Sequence, residues 1–378
     1  MTFLALPWFV LATTGSATKM GIVLAAELAP VALLGIPSGT VVARLGARRT
    51  MLYGDLARAP LLASVPILHS LGVLSFGLLL VLVALLGVFL APYYSAQRLV
   101  LPELVGEDER VVAQANAVVE GAQRATSLLG PVTAGLLIAL VGATKVLYID
   151  AATFLVSFVL LALFVPQRAP LAPGDEAKGV FAGVRYIFRD RLLLPLVVTA
   201  LLLNGFGQML VAGLPVLAYD EFGGSPKVAG AFFGALGAGA VLGSVVAIRV
   251  VPRHDPVRLG AMSLVALTLP LWLLGLDLPV VGVMAVLFAS SFFGPLVNAP
   301  LIGVITTRTP ETLRPKVMTA VLTLALLAGP AALLIAGPLL ESWGAQNVFF
   351  LVAAGELIGS LPFAFVALRR RGAVAQPA

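Results

Sequence analysis

Ionisable and amide side chains are scarce in this 378-residue chain, and several sit inside long apolar runs, where each is costly and therefore informative. Glu27 stands among Ala25, Ala26 and Pro30, small neighbours that suit a helix face packed against other helices. A protonatable carboxyl there can take up a proton from one side of a membrane and release it to the other. The plainer use is a carboxyl held for packing, either protonated or paired with an arginine. Glu356, beside Gly355 and Gly359, admits the same two readings, and Asp150 can also serve to cap or bind a neighbouring helix end. These three are the candidates for coupling to protons or substrate. Asn204 and Gln208 share one helix face, with Gly205 and Gly207 between them. An unpaired amide in hydrocarbon is expensive, so that face is expected to look into a cavity or onto another helix.

Two pairs have the spacing of ion pairs on one helix face, Asp55 with Arg58 (i, i+3) and Glu120 with Arg124 (i, i+4). Both fall near the same ends of their helices as Arg44, Arg48 and Arg49, and the set is expected to form one network. Ordinary surface pairing of snorkelling side chains is the alternative. Gly230/Gly234 and Gly239/Gly243 keep the small-xxx-small spacing that lets helices approach closely. Gly130-Pro131 and Gly329-Pro330 are expected to bend their helices. Tyr93, Tyr94, Phe232, Phe233, Phe292 and Phe293 could line an apolar pocket, but aromatics in such helices mostly pack or face lipid.

Other chemistries are poorly supported. There are no cysteines, and the two histidines, His69 and His254, lie far apart, so no metal site is expected. HExxH, GxSxG and GxxxxGK[ST] patterns are absent, which argues against a metalloprotease, a serine hydrolase and an ATP-driven pump. No enzyme and no cofactor is implied. The net charge of +6 comes from basic residues gathered at one set of helix ends and does not indicate nucleic-acid binding.

The elements that carry these residues are membrane helices. Hydrophobic residues make up 60% of the chain and charged ones only 11%, at a mean hydropathy of +1.05. No charge lies between His69 and Arg98, between Arg191 and Asp220, or between Asp277 and Arg308. Each such stretch can supply the roughly 20 apolar residues that cross a bilayer. The pattern predicts an all-α membrane protein of 12 spans, at 1–12 (partial), 18–43, 50–69, 71–96, 112–141, 146–166, 193–218, 227–249, 258–276, 278–304, 317–340 and 346–368.

Connections alternate in charge. One set holds Arg44/Arg48/Arg49, Arg98/Arg110, Arg168/Lys178/Arg185/Arg189/Arg191, Arg249/Arg253/Arg258, Arg308/Arg314/Lys316 and Arg369/Arg370/Arg371, whereas the other holds only Lys19, Lys145 and Lys227. The basic set is expected on the cytoplasmic side, which places the C-terminus there. The arginine-over-lysine bias, with abundant Ala, Leu, Val and Gly, suggests a bacterial source and hence the inner membrane. The organisation expected is an N-terminal half (1–166), a cytoplasmic linker (167–192) and a C-terminal half with a short basic tail (193–378). The linker opens Pro/Gly-rich and ends in a basic amphipathic segment expected to lie on the inner membrane surface.

The two halves repeat at an offset near half the chain. GTVVAR (Gly39–Arg44) matches GSVVAIR (Gly243–Arg249), Leu6-Pro7 matches Leu214-Pro215, and Leu129-Gly130-Pro131 matches Ala328-Gly329-Pro330. Two six-helix halves with a substrate site between them is a recurrent transporter plan. Far fewer residues precede Leu6 than precede Leu214 in its half, so the first helix is expected to lack its cytoplasmic part, through an upstream start or a truncation.

The stretch Gly39-Thr-Val-Val-Ala-Arg-Leu-Gly-Ala-Arg-Arg49 resembles the G-x-x-x-D-R-x-G-R-R loop motif of the major facilitator superfamily, with Asp55-Leu-Ala-Arg58 following. Gly130-Pro131, with Gly135 behind, resembles the antiporter motif of its drug-efflux branch, and the whole pattern looks closest to bacterial macrolide and siderophore exporters. Leu101-Pro-Glu-Leu104, Tyr148-Ile-Asp-Ala-Ala-Thr-Phe154 and Glu341-Ser-Trp-Gly-Ala345 support this. Ala43 stands where the motif has its acid. The resemblance implies two six-helix halves. It also implies an inner-gate role for Gly39, Arg44, Gly46, Arg48, Arg49, Asp55, Arg58, Glu120 and Arg124, conformational rather than substrate-binding. The function expected is proton-coupled efflux of a hydrophobic small molecule by a monomer. Metabolite uptake by the same fold and a non-transporting membrane protein are the alternatives.

Overall fold

The computed structural model describes residues 1–105, 109–166, 180–190, 193–310 and 313–369. Among these, α1 (Thr2–Thr14), α2 (Ala17–Leu45), α3 (Ala47–Ser70), α4 (Phe76–Val105), α5 (Glu109–Val141) and α6 (Ala143–Phe164) belong to one compact unit, Met1–Ala177. The short α7 (Val180–Arg189) opens a second unit, Lys178–Ala378. It is followed by α8 (Leu193–Asp220), α9 (Pro226–Val250), α10 (Pro256–Leu271), α11 (Val280–Arg308), α12 (Arg314–Trp343) and α13 (Ala345–Arg369).

Ten of these helices are long and apolar enough to cross a membrane, against twelve spans expected. The two that fall short do so for different reasons. α1 has only 13 residues, and α3 carries Arg48, Arg49, Asp55 and Arg58. Helices also overrun the predicted spans at the arginine-rich ends. α4 continues to Val105, through Pro102, and α11 to Arg308.

Within each unit the helices pack in the same order. α2 lies on α4, and α3 on both α4 and α6, just as α9 lies on α11, and α10 on α11 and α13. α1 touches α5 and α6 as α8 touches α12 and α13. The turns repeat too. Gly142 (φ 87°) joins α5 to α6, and Gly344 (φ 78°) joins α12 to α13, each in a backbone region that residues with a Cβ rarely adopt. The sequence repeat is therefore a structural repeat of six helices.

The linker helix differs from the sequence expectation. Its apolar face rests on protein: Ile187 is fully buried with Leu193, Val257, Leu264 and Val317, and Val184 and Tyr186 pack against the same cluster. A basic amphipathic segment can satisfy its apolar face on lipid or on a helix bundle, and here α12 and α8 supply the cover. Arg185, Phe188 and Arg189 form the exposed face.

Candidate functional site

The first unit holds a buried polar layer spread over α3, α4 and α6. One turn of α3 brings the Arg58 Nη2 to 2.5 Å from the Asp55 Oδ1, and both residues are almost wholly buried, at 6% and 1% exposure. Two charges at that depth need every partner they can find. Arg58 Nε donates to the Gly54 carbonyl at 3.2 Å, and the Ser157 hydroxyl of α6 donates to Asp55 Oδ2 at 2.6 Å. The rings of Tyr93 (α4) and Phe154 (α6) cover the guanidinium, with centroids 4.2 and 4.6 Å from its central carbon. Gly54 is what lets Tyr93 come so close, since a Cβ there would sit 3.2 Å from the ring.

Asp150 is also buried. It accepts hydrogen bonds from Thr2 of α1 and, at 3.4 Å, from the Thr153 hydroxyl one turn on. Glu27 is different. Its carbonyl oxygen packs against Gly87 of α4, but its half-buried carboxylate has no hydrogen-bond or ion-pair partner among the described residues. Asp150 and Tyr94 are within electrostatic reach of it.

The residues of the loop motif do not join this layer. Arg44 and Arg49 are exposed, and Gly39 faces open space. Arg48 is half-buried and donates through Nη2 to the Ala162 carbonyl at 2.7 Å, tying the start of α3 to the end of α6. Gly46 (φ 81°) makes the turn between α2 and α3. Asp55 and Arg58 are thus paired with each other and kept apart from the basic loop. The side chains of Glu120 and Arg124 lie outside the described residues.

The second unit is sparser. Glu356 of α13 is buried at 4% exposure, and its Oε2 has no hydrogen-bond partner among the described residues. Asn204 of α8 likewise leaves a buried Oδ1 unpartnered. Around α8, Leu202 and Phe206 pack on Gly359 and Gly355 of α13, and Gly205 packs on Ala328 and Ala332 of α12. At about 100° per residue, Asn204 lies on the side of α8 opposite α13. The two orphan groups therefore belong to different faces. α5 and α12 run unbroken through Pro131 and Pro330, with Pro131 and Gly329 buried and Gly130 and Pro330 half-buried.

Sequence reasoning missed Ser157 and Phe154 as partners of the α3 pair, and Thr2 as a partner of Asp150. A serine in the apolar second half of α6 is the signal for the first; nothing local announces the others. Of the aromatics named from sequence, Tyr93 covers Arg58, Phe232 and Phe233 are buried core, and Phe292 meets Phe293 edge-on.

A family model described as Major Facilitator Superfamily matches residues 1–318 of the chain. The multidrug efflux pump Tap of Mycolicibacterium fortuitum is 29% identical over 375 residues, which are 95% of this chain and 89% of the relative. An uncharacterized MFS-type transporter of Bacillus subtilis, YvqJ, is 22% identical over 372 residues, 95% of this chain and 86% of its own. The crystal structure of nucleoside transporter NupG superposes with a TM-score of 0.77 at 13% identity, over 97% of this chain and 94% of that one. The human organic anion transporter MFSD10 superposes with a TM-score of 0.63 at 21% identity, over 91% and 84%. These last two likenesses show the fold alone. With the repeated six-helix units, the buried charges and the matched family model together, the chain belongs to the major facilitator superfamily and is a multi-pass membrane transporter.

Proposed function

We propose that the protein is a proton-coupled exporter of hydrophobic small molecules, working as a monomer by alternating access in a bacterial inner membrane with its C-terminus in the cytoplasm. One observation carries the coupling: among the described residues Glu27 is an acid of the first unit's membrane layer without a hydrogen-bond or ion-pair partner, while Asp55 and Asp150 are both satisfied. A carboxyl without a fixed counter-charge can change its protonation state without breaking a salt bridge, which is what a proton carrier must do. The name of the mycobacterial relatives, multidrug efflux pump, supports the direction and the breadth of substrate. Arginine-rich helix ends support the orientation.

In this reading Glu27 carries the proton, with Glu356 as a second titrating acid and Asp150 shaping the field at Glu27. Asn204 and Gln208 offer amides to substrate. Asp55 and Arg58, with Arg44, Arg48 and Arg49 beyond them, hold one conformation and release it in the other.

The test is transport in proteoliposomes carrying an imposed pH gradient, with a fluorescent hydrophobic dye as substrate. The wild type should move dye against its gradient in exchange for protons, and Glu27→Gln should bind dye but lose gradient-driven movement. Undiminished gradient-driven transport by Glu27→Gln removes the coupling role, and accumulation in the direction of proton flow replaces export with uptake.

A further inference from the structure

At the end of the second unit opposite the arginine-rich connections, helix geometry opens a groove of about 730 Å³. α10 stops at Leu271 and tightens into a single 3₁₀ turn, Trp272–Gly275, which packs on α13. Gly275 has no side chain to obstruct Phe350, whose ring would collide with a Cβ at that position. Phe350, Leu351 and Ala354 of α13 line the groove, with Trp272 and Trp343 beside them and Asn347 towards its polar end. Trp272 and Trp343 are 37% and 53% exposed, and they are two of the chain's three tryptophans. Tryptophans at this level of a membrane helix mark the headgroup interface.

The flanking surface is apolar and exposed, through Leu269, Leu273 and Leu276 on one side and Ile358 and Leu361 on the other. The groove is therefore continuous with the lipid-facing surface. Its charge has one sign. Glu341 precedes the lining residue Ser342, and Asp277 accepts a hydrogen bond from Gln346 at 2.8 Å, next to Asn347. No Lys or Arg occurs between Arg258 and Arg308 or between Lys316 and Arg369 in the sequence. Two exposed tryptophans with the Asp277 carboxylate at the same helix ends are the chemistry that recognises an ammonium group.

We propose that this groove is a binding site for an aminophospholipid of the outer leaflet. The ammonium headgroup sits by Trp272, Trp343 and Asp277, and an acyl chain runs down over Phe350, Leu351 and Ala354. The site is separate from the polar layer of the first unit and does not depend on transport or on its coupling ion.

Brominated lipids test this through tryptophan quenching. In the full-length Trp8→Phe protein, reconstituted in phosphatidylcholine, emission comes only from Trp272 and Trp343. Dibrominated phosphatidylethanolamine should quench it saturably, at mole fractions about two- to fivefold lower than dibrominated phosphatidylglycerol requires. Asp277→Asn, an exposed change between helices, should narrow that ratio. A Trp272→Phe/Trp343→Phe protein, which reports from buried Trp8, should show no preference. Equal quenching by the two lipids overturns the proposal, as does an unchanged ratio in Asp277→Asn. So does displacement of phosphatidylethanolamine by the transported dye at its transport concentration, which would assign the groove to substrate.

Discussion

The two six-helix units share one packing scheme and fill it with opposite chemistry. In the first, α3 carries a buried ion pair whose partners come from α4 and α6. Aligning Gly54 with Gly260, the second unit has Ala261 and Leu264 at the positions of Asp55 and Arg58, and both are buried hydrophobic core. The contrast reverses in the helix before. Gly239 and Gly243 of α9 lie against the carbonyls of Phe288 and Phe292, so close that a Cβ would overlap them. Their repeat counterparts Gly35 and Gly39 face open space. The second unit is held at that level by backbone contact, whereas the first is held by charge. The scaffold thus needs neither device in particular. Polar groups that a sister unit dispenses with are candidates for conformational change and not for the fold.

The largest effect expected is from Arg58→Leu alone, which strands the Asp55 carboxylate in the core and should cost about 3–5 kcal/mol in reversible unfolding measured in mixed micelles. Combining it with Asp55→Ala reproduces the pattern of the second unit and should restore most of that loss. A double variant that folds yet fails to transport would assign the pair to conformational cycling. One that transports normally would make the pair a packing feature.

Next in size is a sign test on the repeat. Gly243→Ala should destabilise by about 1–3 kcal/mol, because the new methyl overlaps the Phe292 carbonyl. Gly39→Ala, at the matching position, meets nothing and should stabilise by about 0.5–1 kcal/mol through helix propensity alone. Equal effects at the two sites would erase the asymmetry between α2 and α9.

Ser157→Ala should cost about 1–2 kcal/mol by removing the second donor to Asp55. Smallest of all, Glu356→Gln should leave thermal stability within about 0.5 kcal/mol, since Oε2 has no partner to lose. A larger loss there would reveal that this buried acid of the second unit is a structural group after all.

Much of this was legible beforehand. The charge-free runs announce membrane helices because no water is available in the bilayer to satisfy an exposed backbone. The Gly-Pro and GTVVAR/GSVVAIR matches announce the repeat, and the Asp55–Arg58 spacing announces the pair. The depth of that pair was not legible. Asp55 and Arg58 look like residues near a basic loop, and only the arrival of Ser157 and Phe154, about a hundred positions away, makes a charged site tolerable inside the unit. The same holds for α7, whose amphipathic pattern fits lipid and protein equally until α12 is seen to cover it.

Sequence alone determined that the chain lies in a membrane, that it is helical, that it repeats, and which few ionisable groups stand at membrane depth. Each of these follows from local composition and period. Which of those groups are matched was decided only by tertiary structure. Asp55 and Asp150 find donors on other helices, while among the described residues Glu27, the Glu356 Oε2 and the Asn204 Oδ1 do not. Pairing depends on neighbours brought together through three dimensions, and the energy of a buried charge is set by those neighbours.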